Sequence, residues 1–305
     1  MNEVRKPIVI VGSISMDMVT TTPHIPGVGE TIIGTSFSTT PGGKGANQAV
    51  TAARLGYPVH MVGKVGEDSY APPLLDTLAQ SGVDIDAMER TAGSSGLAHI
   101  FLEQSGRNSI VIVPGSNGGV DRAQIDRYAS LIGSAGMVLC QLELPLDTTL
   151  YTIELCAAAG VPVILDPAPA APLPDEVFPQ IAWFTPNESE AEYYDGGSGD
   201  PEHIAGELLD RGIRGVVLKR GAEGAYVATR ERAQWVSAFP ADAVDTVAAG
   251  DCFNGAFAVG LMEGLDPWSA ARFACAAAAL SVTRRGAQAS LPSRDEVDTF
   301  LATEP

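Results

Sequence analysis

An α/β fold is predicted: three layers, with helices on both faces of a mostly parallel sheet, and a small β-sheet lid attached. Two observations predict it. Short apolar runs of strand length alternate with segments of helical periodicity, the pattern of strand–helix–strand units whose sheet is buried on both faces. Two further segments break that alternation, and neither is long enough to hold a core of its own. The 305 residues suffice for one large domain or two smaller ones. We assign a single domain over 1–305, its core formed by 1–17, 41–97 and 115–305 and its lid by 18–40 and 98–114.

The first strand is the run Pro7–Gly12. Comparable runs follow at His60–Val62, Met137–Leu142, Val161–Leu165, Ile181–Phe184 and Gly215–Leu218. Between them, Ala46–Leu55 places Ala46, Ala49, Val50 and Ala53 on one helical face and stops at Gly56. Leu74–Gln80 and Thr148–Ala159 have the same character, the second with Asp147 as its expected N-cap. Asp266-Pro267 joins a capping acid to a proline at the first helical position and opens a helix expected to run to about Gly286. Met18–Thr40, rich in Thr, Pro and Gly, and Ala98–Pro114, a hairpin turning at Ser105–Asn108, are expected to be antiparallel strands inserted into the core as a lid over a cleft. Gly196–Gly199 is expected to be a surface loop.

Composition excludes several functions. A net charge of −18 argues against a nucleic-acid or anionic-membrane surface. Cys140, Cys156, Cys252 and Cys275 are scattered in apolar surroundings without a C-x-x-C pair, as expected of reduced core residues. The first residues turn polar too soon for a signal peptide, and no apolar run approaches the ~18 residues of a membrane span. A soluble, cytoplasmic protein is expected. His24, His60, His99 and His203 show neither metal spacing nor a neighbouring nucleophile pattern.

Two segments carry chemistry. Residues 245–251 read Asp-Thr-Val-Ala-Ala-Gly-Asp ahead of an apolar stretch. Small residues let backbone approach a ligand, and the N–H groups at a helix start form an anion site. A carboxylate placed there repels phosphate, so Asp251 is read as a base that takes a proton from a hydroxyl while the amides hold a transferring phosphoryl group. A plain helix start with Asp251 as N-cap is the other reading. The second segment is Pro41-Gly-Gly-Lys-Gly-Ala-Asn-Gln-Ala-Val50. Gly42 and Gly43 permit close backbone approach, Lys44 offers a cation, and Asn47 offers a donor and an acceptor. Neither a G-x-x-x-x-G-K-[ST] loop nor a G-x-G-x-x-G after the first strand is present, which disfavours P-loop and nicotinamide chemistry.

Together, in this order, GGKGANQAV and DTVAAGDCFNGA resemble the ribokinase-like (PfkB) family of sugar kinases. The resemblance runs from the first strand to about Pro292, and smaller pieces agree: GSISMD at 12–17, GETIIG at 29–34, QLELP at 141–145, DPAPA at 166–170, TPNESE at 185–190 and TRRGAQAS at 283–290. The resemblance implies the family's α/β/α sandwich with a β lid and ATP-dependent phosphorylation of a sugar, ribose first. It implies Asp251 as catalytic base and Ala248, Ala249 and Gly250 as the anion hole. Ser15, Asp17, Gly43, Lys44, Asn47 and Glu143 match the sugar contacts. Asn187, Lys219, Gly221, Glu223, Gly224, Gly250 and Cys275 match the ATP site.

Asn187 and Glu190 match the family's N-x-x-E element, which holds Mg²⁺ through water. Asp245, Val247, Ser281, Arg284, Gly286 and Ser290 match the positions around an activating K⁺, most of them through backbone carbonyls. A homodimer through the lid is implied too, with Ile32, Ile100 and Ile110 as apolar residues for a second copy to cover.

Two positions depart from the usual pattern: Ser15 stands where an Asn is usual beside the sugar, and Cys275 where a polar residue is usual near the adenine. Another pentose or hexose kinase, for deoxyribose or fructose, is the alternative within the class. A non-catalytic sugar-binding regulator is disfavoured by Asp251, and a nucleoside kinase by Lys44 and Glu143.

Overall fold

The computed structural model describes residues 5–103, 105, 107–195 and 199–303. Its elements in chain order are β1 (Ile8–Val11), β2 (Ser15–Thr22), β3 (Ser36–Gly42), α1 (Lys44–Arg54), β4 (Val59–Gly66), α2 (Ala71–Gln80), β5 (Val83–Asp84) and β6 (Met88–Thr91). Then come β7 (Gly96–Glu103), β8 (Asn108–Val113), α3 (Arg122–Arg127), α4 (Ala129–Ser134), β9 (Met137–Gln141), α5 (Leu146–Ala159), β10 (Val163–Asp166) and β11 (Trp183–Phe184). The chain continues through α6 (Glu188–Asp195), α7 (Pro201–Asp210), β12 (Gly215–Lys219), β13 (Gly224–Thr229), β14 (Ala233–Ser237), α8 (Ala249–Met262), α9 (Pro267–Ser281) and α10 (Arg294–Thr303).

The main sheet runs β14-β13-β12-β11-β10-β9-β1-β4-β5, with β6 paired to the far end of β4. From β12 to β5 every pairing is parallel, and β13 and β14 add an antiparallel edge. Burial explains why its strands read as continuous apolar runs. Ile8 and Ile10 of β1 enter the core beneath α1, α2, α8, α9 and α10, while Val9 and Val11 enter the opposite core beneath α3 to α7. The result is the expected three-layer sandwich. The edge strands β13 and β14, and the short β5 and β6, carry no run that the sequence reading singled out. All four cysteines are buried and free. No helix among the described residues is long and apolar enough to cross a membrane.

The lid is a separate four-stranded sheet, β3-β2-β7-β8. Its outer pairs are antiparallel as expected, but β2 and β7 at its centre run parallel, Ser15 facing Gly96 and Thr22 facing Glu103. Both strands leave the core from the same end, so they point the same way. Gly106 of the expected turn, and residues 196–198 of the expected surface loop, lie outside the described residues.

Two helix boundaries also differ. Asp147 lies inside the first turn of α5, whose N-cap is Pro145, and there it meets the positive end of the helix without capping it. The helix opened by Asp266, which accepts from the amides of Trp268 and Ser269 as expected, ends at Ser281. Beyond it Arg284 N–H bonds back to the Ser281 carbonyl three residues earlier, a turn rather than a helical bond, and Gly286 takes φ +91° further along the loop.

Candidate active site

The cleft lies at the carboxyl ends of the parallel strands, where ligands bind in open α/β sheets. Ser13 follows β1, Glu143 follows β9, Asp166 ends β10, Asn187 follows β11 and Lys219 ends β12. The lid supplies Ser15 and Asp17 from the base of β2.

Two glycines bring α1 into this cleft. Gly43 takes φ +92°, and a Cβ on it would stand 2.7 Å from the Ile14 Cα. A side chain is excluded by conformation and by space alike, so β3 can turn directly into α1. Lys44, Asn47 and Gln48 then face the cleft on the first turn. On the far side, a Cβ on Gly255 would meet the Gln48 carbonyl at 2.7 Å, so this glycine lets α8 lie directly against α1.

Close packing of the two helices places Asp251 among α1 side chains. Asn47 Nδ2 donates to Asp251 Oδ2 at 2.9 Å, and Gln48 Nε2 donates to Oδ1 at 3.3 Å. Asp251 is not the N-cap; it lies in the first turn of α8, and the N-cap is Ala248, at φ 62° and ψ 7°. Ala248 is the one non-glycine with positive φ among the described residues. It turns the chain so that the Ala249 amide bonds the Thr246 carbonyl and the Cys252 amide bonds the Ala248 carbonyl. The amides of Gly250 and Asp251 between them have no carbonyl partner, as at any helix start, which leaves two free donors beside Asp251. A Cβ on Gly250 would come within 3.6 Å of Lys219 Nζ, so the ammonium of the β12 end stands beside this helix start.

The charges are crowded. Burial pushes the Asp251 carboxyl up from an ordinary 3.8 to about 6; Lys44 opposes the shift and Asp166 adds to it. Burial likewise raises Asp17 to about 7, against a hydrogen bond from Ser15 Oγ at 3.2 Å. Burial disfavours the Lys44 ammonium, but Asp251, Asp166, Glu143 and Glu190 surround it and hold its pKa above the ordinary lysine value. Glu143 is fixed by Ser13 Oγ at 2.5 Å and by the Lys44 amide at 3.2 Å. Ser15, Asp17, Lys44, Asn47, Glu143 and Asp251 therefore form one cluster, while the buried Asn47 Oδ1 has no partner and remains an open acceptor.

The nucleotide-side residues form a second group. Lys219 Nζ pairs with Asp166 Oδ1 at 3.0 Å. Gly221 (φ +49°) and Gly224 (φ +108°) shape the loop after it, and Glu223 pairs with Arg220 at 3.5 Å. Cys275 is buried within α9. Asn187 and Glu190 are joined reciprocally: the Asn187 amide and Nδ2 donate to the two Glu190 oxygens at 2.8 and 2.9 Å, and the Glu190 amide donates to Asn187 Oδ1. That is a capping box at the start of α6, and it engages both Glu190 oxygens.

Asp245 ties the loop before α8 to the loop after α9. Its oxygens accept from the Val247 amide at 3.1 Å and the Gly286 amide at 2.9 Å. The Ser281 and Ser290 hydroxyls donate to Ala278 and Ala287 carbonyls and keep their lone pairs, whereas the Arg284 guanidinium pairs with Glu296 away from the loop.

Sequence reasoning assigned no role to Ser13, Gln48, Gln141 or Asp166, although all lie in quoted segments. Asp166, an acid ending a buried parallel strand, was the one with a readable signal.

Fold and cleft together define a small-molecule phosphotransferase. The pfkB family carbohydrate kinase profile matches residues 5–294. The chain is 44% identical over 296 residues to Ribokinase of Bacillus subtilis (strain 168), across 97% of this chain and 99% of that protein. It is 37% identical over 301 residues to Deoxyribokinase of Salmonella typhi, across 97% and 98%. The solved structure of Arabidopsis thaliana Ribokinase complexed with ribose and ATP superposes with a TM-score of 0.92 at 35% identity, covering 98% of this chain and 99% of that one. The chain belongs to the pfkB family of carbohydrate kinases.

Proposed function

We propose that this chain transfers the γ-phosphoryl group of ATP to the 5-hydroxyl of D-ribose, giving ribose 5-phosphate and ADP. The observation that carries this is Asp251: a buried carboxylate in the first helical turn of an open anion hole, one side chain away from a cluster of polyol-binding groups. Asp251 takes the hydroxyl proton as the oxygen bonds to the γ-phosphorus, and the bond from that phosphorus to the β,γ-bridging oxygen breaks. The amides of Gly250 and Asp251 receive charge on the equatorial oxygens, and Lys219 serves the leaving diphosphate. Asp17, Lys44, Asn47 and Glu143 replace the sugar's water, charged acceptors giving the stronger bonds. The relatives named above support ribose over other sugars, and the deoxyribokinase relative supports deoxyribose as the runner-up.

The cleft carries more carboxylates than cations, so a polyphosphate needs added positive charge. Asn187 and Glu190 would hold a Mg²⁺ that arrives with ATP, and the ion would supply that charge. K⁺ bound among Asp245, Val247, Ser281, Gly286, Ser290 and the Arg284 carbonyl would fix the loop that leads into the anion hole. Assays of ribose, deoxyribose and fructose with ATP, each with and without K⁺, test this. Ribose is expected to give the highest kcat/KM, and K⁺ to raise turnover well above that in Tris alone. A higher kcat/KM for deoxyribose or fructose would move the substrate assignment, with Ser15 as the first residue to examine.

The lid exposes Phe37, Ile110, Val111 and Ile112, each at least half exposed, while Ile32 and Ile100 are partly buried. A thin sheet carrying this much apolar surface supports a homodimer formed lid to lid. Sedimentation at micromolar concentration is expected to give twice the 31.7 kDa chain mass, and a single species at the chain mass would rule the dimer out. ATP as substrate and four reduced cysteines accord with a cytoplasmic setting.

A further inference from the structure

One buried amide at the centre of the cleft takes no part in the sugar or nucleotide contacts assigned above. Gln48 is fully buried, and its Nε2 stands between two carboxylates, donating to Asp166 Oδ2 at 3.0 Å and to Asp251 Oδ1 at 3.3 Å. Its orientation is locked from behind: Gln141 Nε2 donates to Gln48 Oε1 at 2.8 Å. A flip of the Gln48 amide would turn its oxygen toward both carboxylates and its donor toward the donor of Gln141, which is unfavourable at all three contacts. Gln141 is itself 1% exposed, and Thr149 Oγ1 donates to its backbone carbonyl at 3.4 Å. Asp166 in turn pairs with Lys219. A chain of direct contacts thus runs from β9 through Gln141 and Gln48 to the base on α8, with a branch through Asp166 to the end of β12.

We propose that Gln48 is the positioning residue for the base: it pins Asp251 Oδ1, leaves the Oδ2 edge beside Asn47 for the sugar hydroxyl, and ties the base through Asp166 to Lys219. The proposal rests on the reading of Asp251 as base. A carboxylate whose Oδ1 is held by a donor that cannot flip, with Asn47 Nδ2 on Oδ2, presents the remaining Oδ2 lone pair in a fixed direction, and small losses of such alignment reduce rates steeply. The single amide also separates two buried negative charges that would otherwise face each other without an intervening donor. The other charged groups around Asp251 are Lys44 on α1, Glu143 after β9 and Asp17 on β2, all retained when Gln48 is changed.

Gln48→Met keeps the length of the side chain and removes both donors. It is expected to lower kcat roughly 10- to 100-fold with KM for ribose and ATP within about 3-fold of wild type. It is also expected to move the acid limb of the pH–rate profile to higher pH, because the ionised carboxylate loses a donor. Gln141→Leu removes the lock without touching Asp251 and is expected to give a smaller loss with the same direction of pH shift; it carries the test if Gln48→Met does not fold. A kcat within about 3-fold of wild type, or a lowered kcat with an unmoved acid limb, would overturn the positioning role, the second because a loss of active protein alone leaves the profile in place. Asp251→Asn, assayed beside them, separates the two failures: if it remains active, the base assignment falls rather than the role of Gln48.

Discussion

Asp251→Asn is expected to lose turnover by ~10²–10⁴-fold while still binding sugar and ATP. The amide keeps the volume of the carboxylate and its place in the first turn of α8, so the free backbone amides of residues 250 and 251 survive. Only the proton acceptor is lost. The same change is expected to stabilise the fold at alkaline pH. The Asp251 carboxyl lies near 6 in the folded protein against an ordinary 3.8, so ionisation opposes folding. That cost is absent below about pH 4 and complete above about pH 6, by linkage. The Tm of Asp251→Asn should therefore exceed that of wild type at pH 8, and the difference should shrink at pH 5. Isothermal titration with ribose and thermal scans at both pH values check the two halves. Turnover within a few-fold of wild type would remove Asp251 from the chemistry. In the wild-type enzyme, kcat/KM is expected to fall as pH drops through about 6, where the base becomes protonated.

Lys44→Met is expected to lower kcat/KM for the sugar roughly 10- to 150-fold, the worth of a charged hydrogen bond of about 1.5–3 kcal/mol. Lys44 also opposes the upward shift of both Asp251 and Asp17. Without it both carboxyls move further up, so the acid limb of the pH–rate profile should shift to higher pH. Steady-state kinetics between pH 5 and 9 read both effects. A loss confined to KM, with the acid limb unmoved, would make Lys44 a sugar contact that does not act on the base.

Much of this was legible in the chain because the signals are local. Continuous apolar runs announced parallel strands buried on both faces, as the split of β1 between two cores bears out. The glycines of the Gly42–Gly45 turn marked close backbone approach, and the small residues before Asp251 marked a helix start, since each leaves a mark on residue type. What escaped depends on distance. The parallel pairing of β2 with β7 follows from where both strands leave the core, which no stretch of either records. Gln48 looks like any helical polar residue until α8 packs against α1, an approach permitted by Gly255 more than 200 residues later. Two helix ends differ from the expected ones: Asp147, a good N-cap residue, stands two positions after the N-cap Pro145, and α9 stops at Ser281, five residues before Gly286.

The proposed reaction moves a phosphoryl group from ATP to the primary hydroxyl of ribose. Phosphorus NMR of purified protein mixed with ribose, MgATP and K⁺ tests it most directly. The expected result is one phosphomonoester, coupled to the C5 protons of ribose, for each ADP formed. ADP accumulating with inorganic phosphate and no sugar phosphate, or a phosphoryl group on another ribose oxygen, would contradict it.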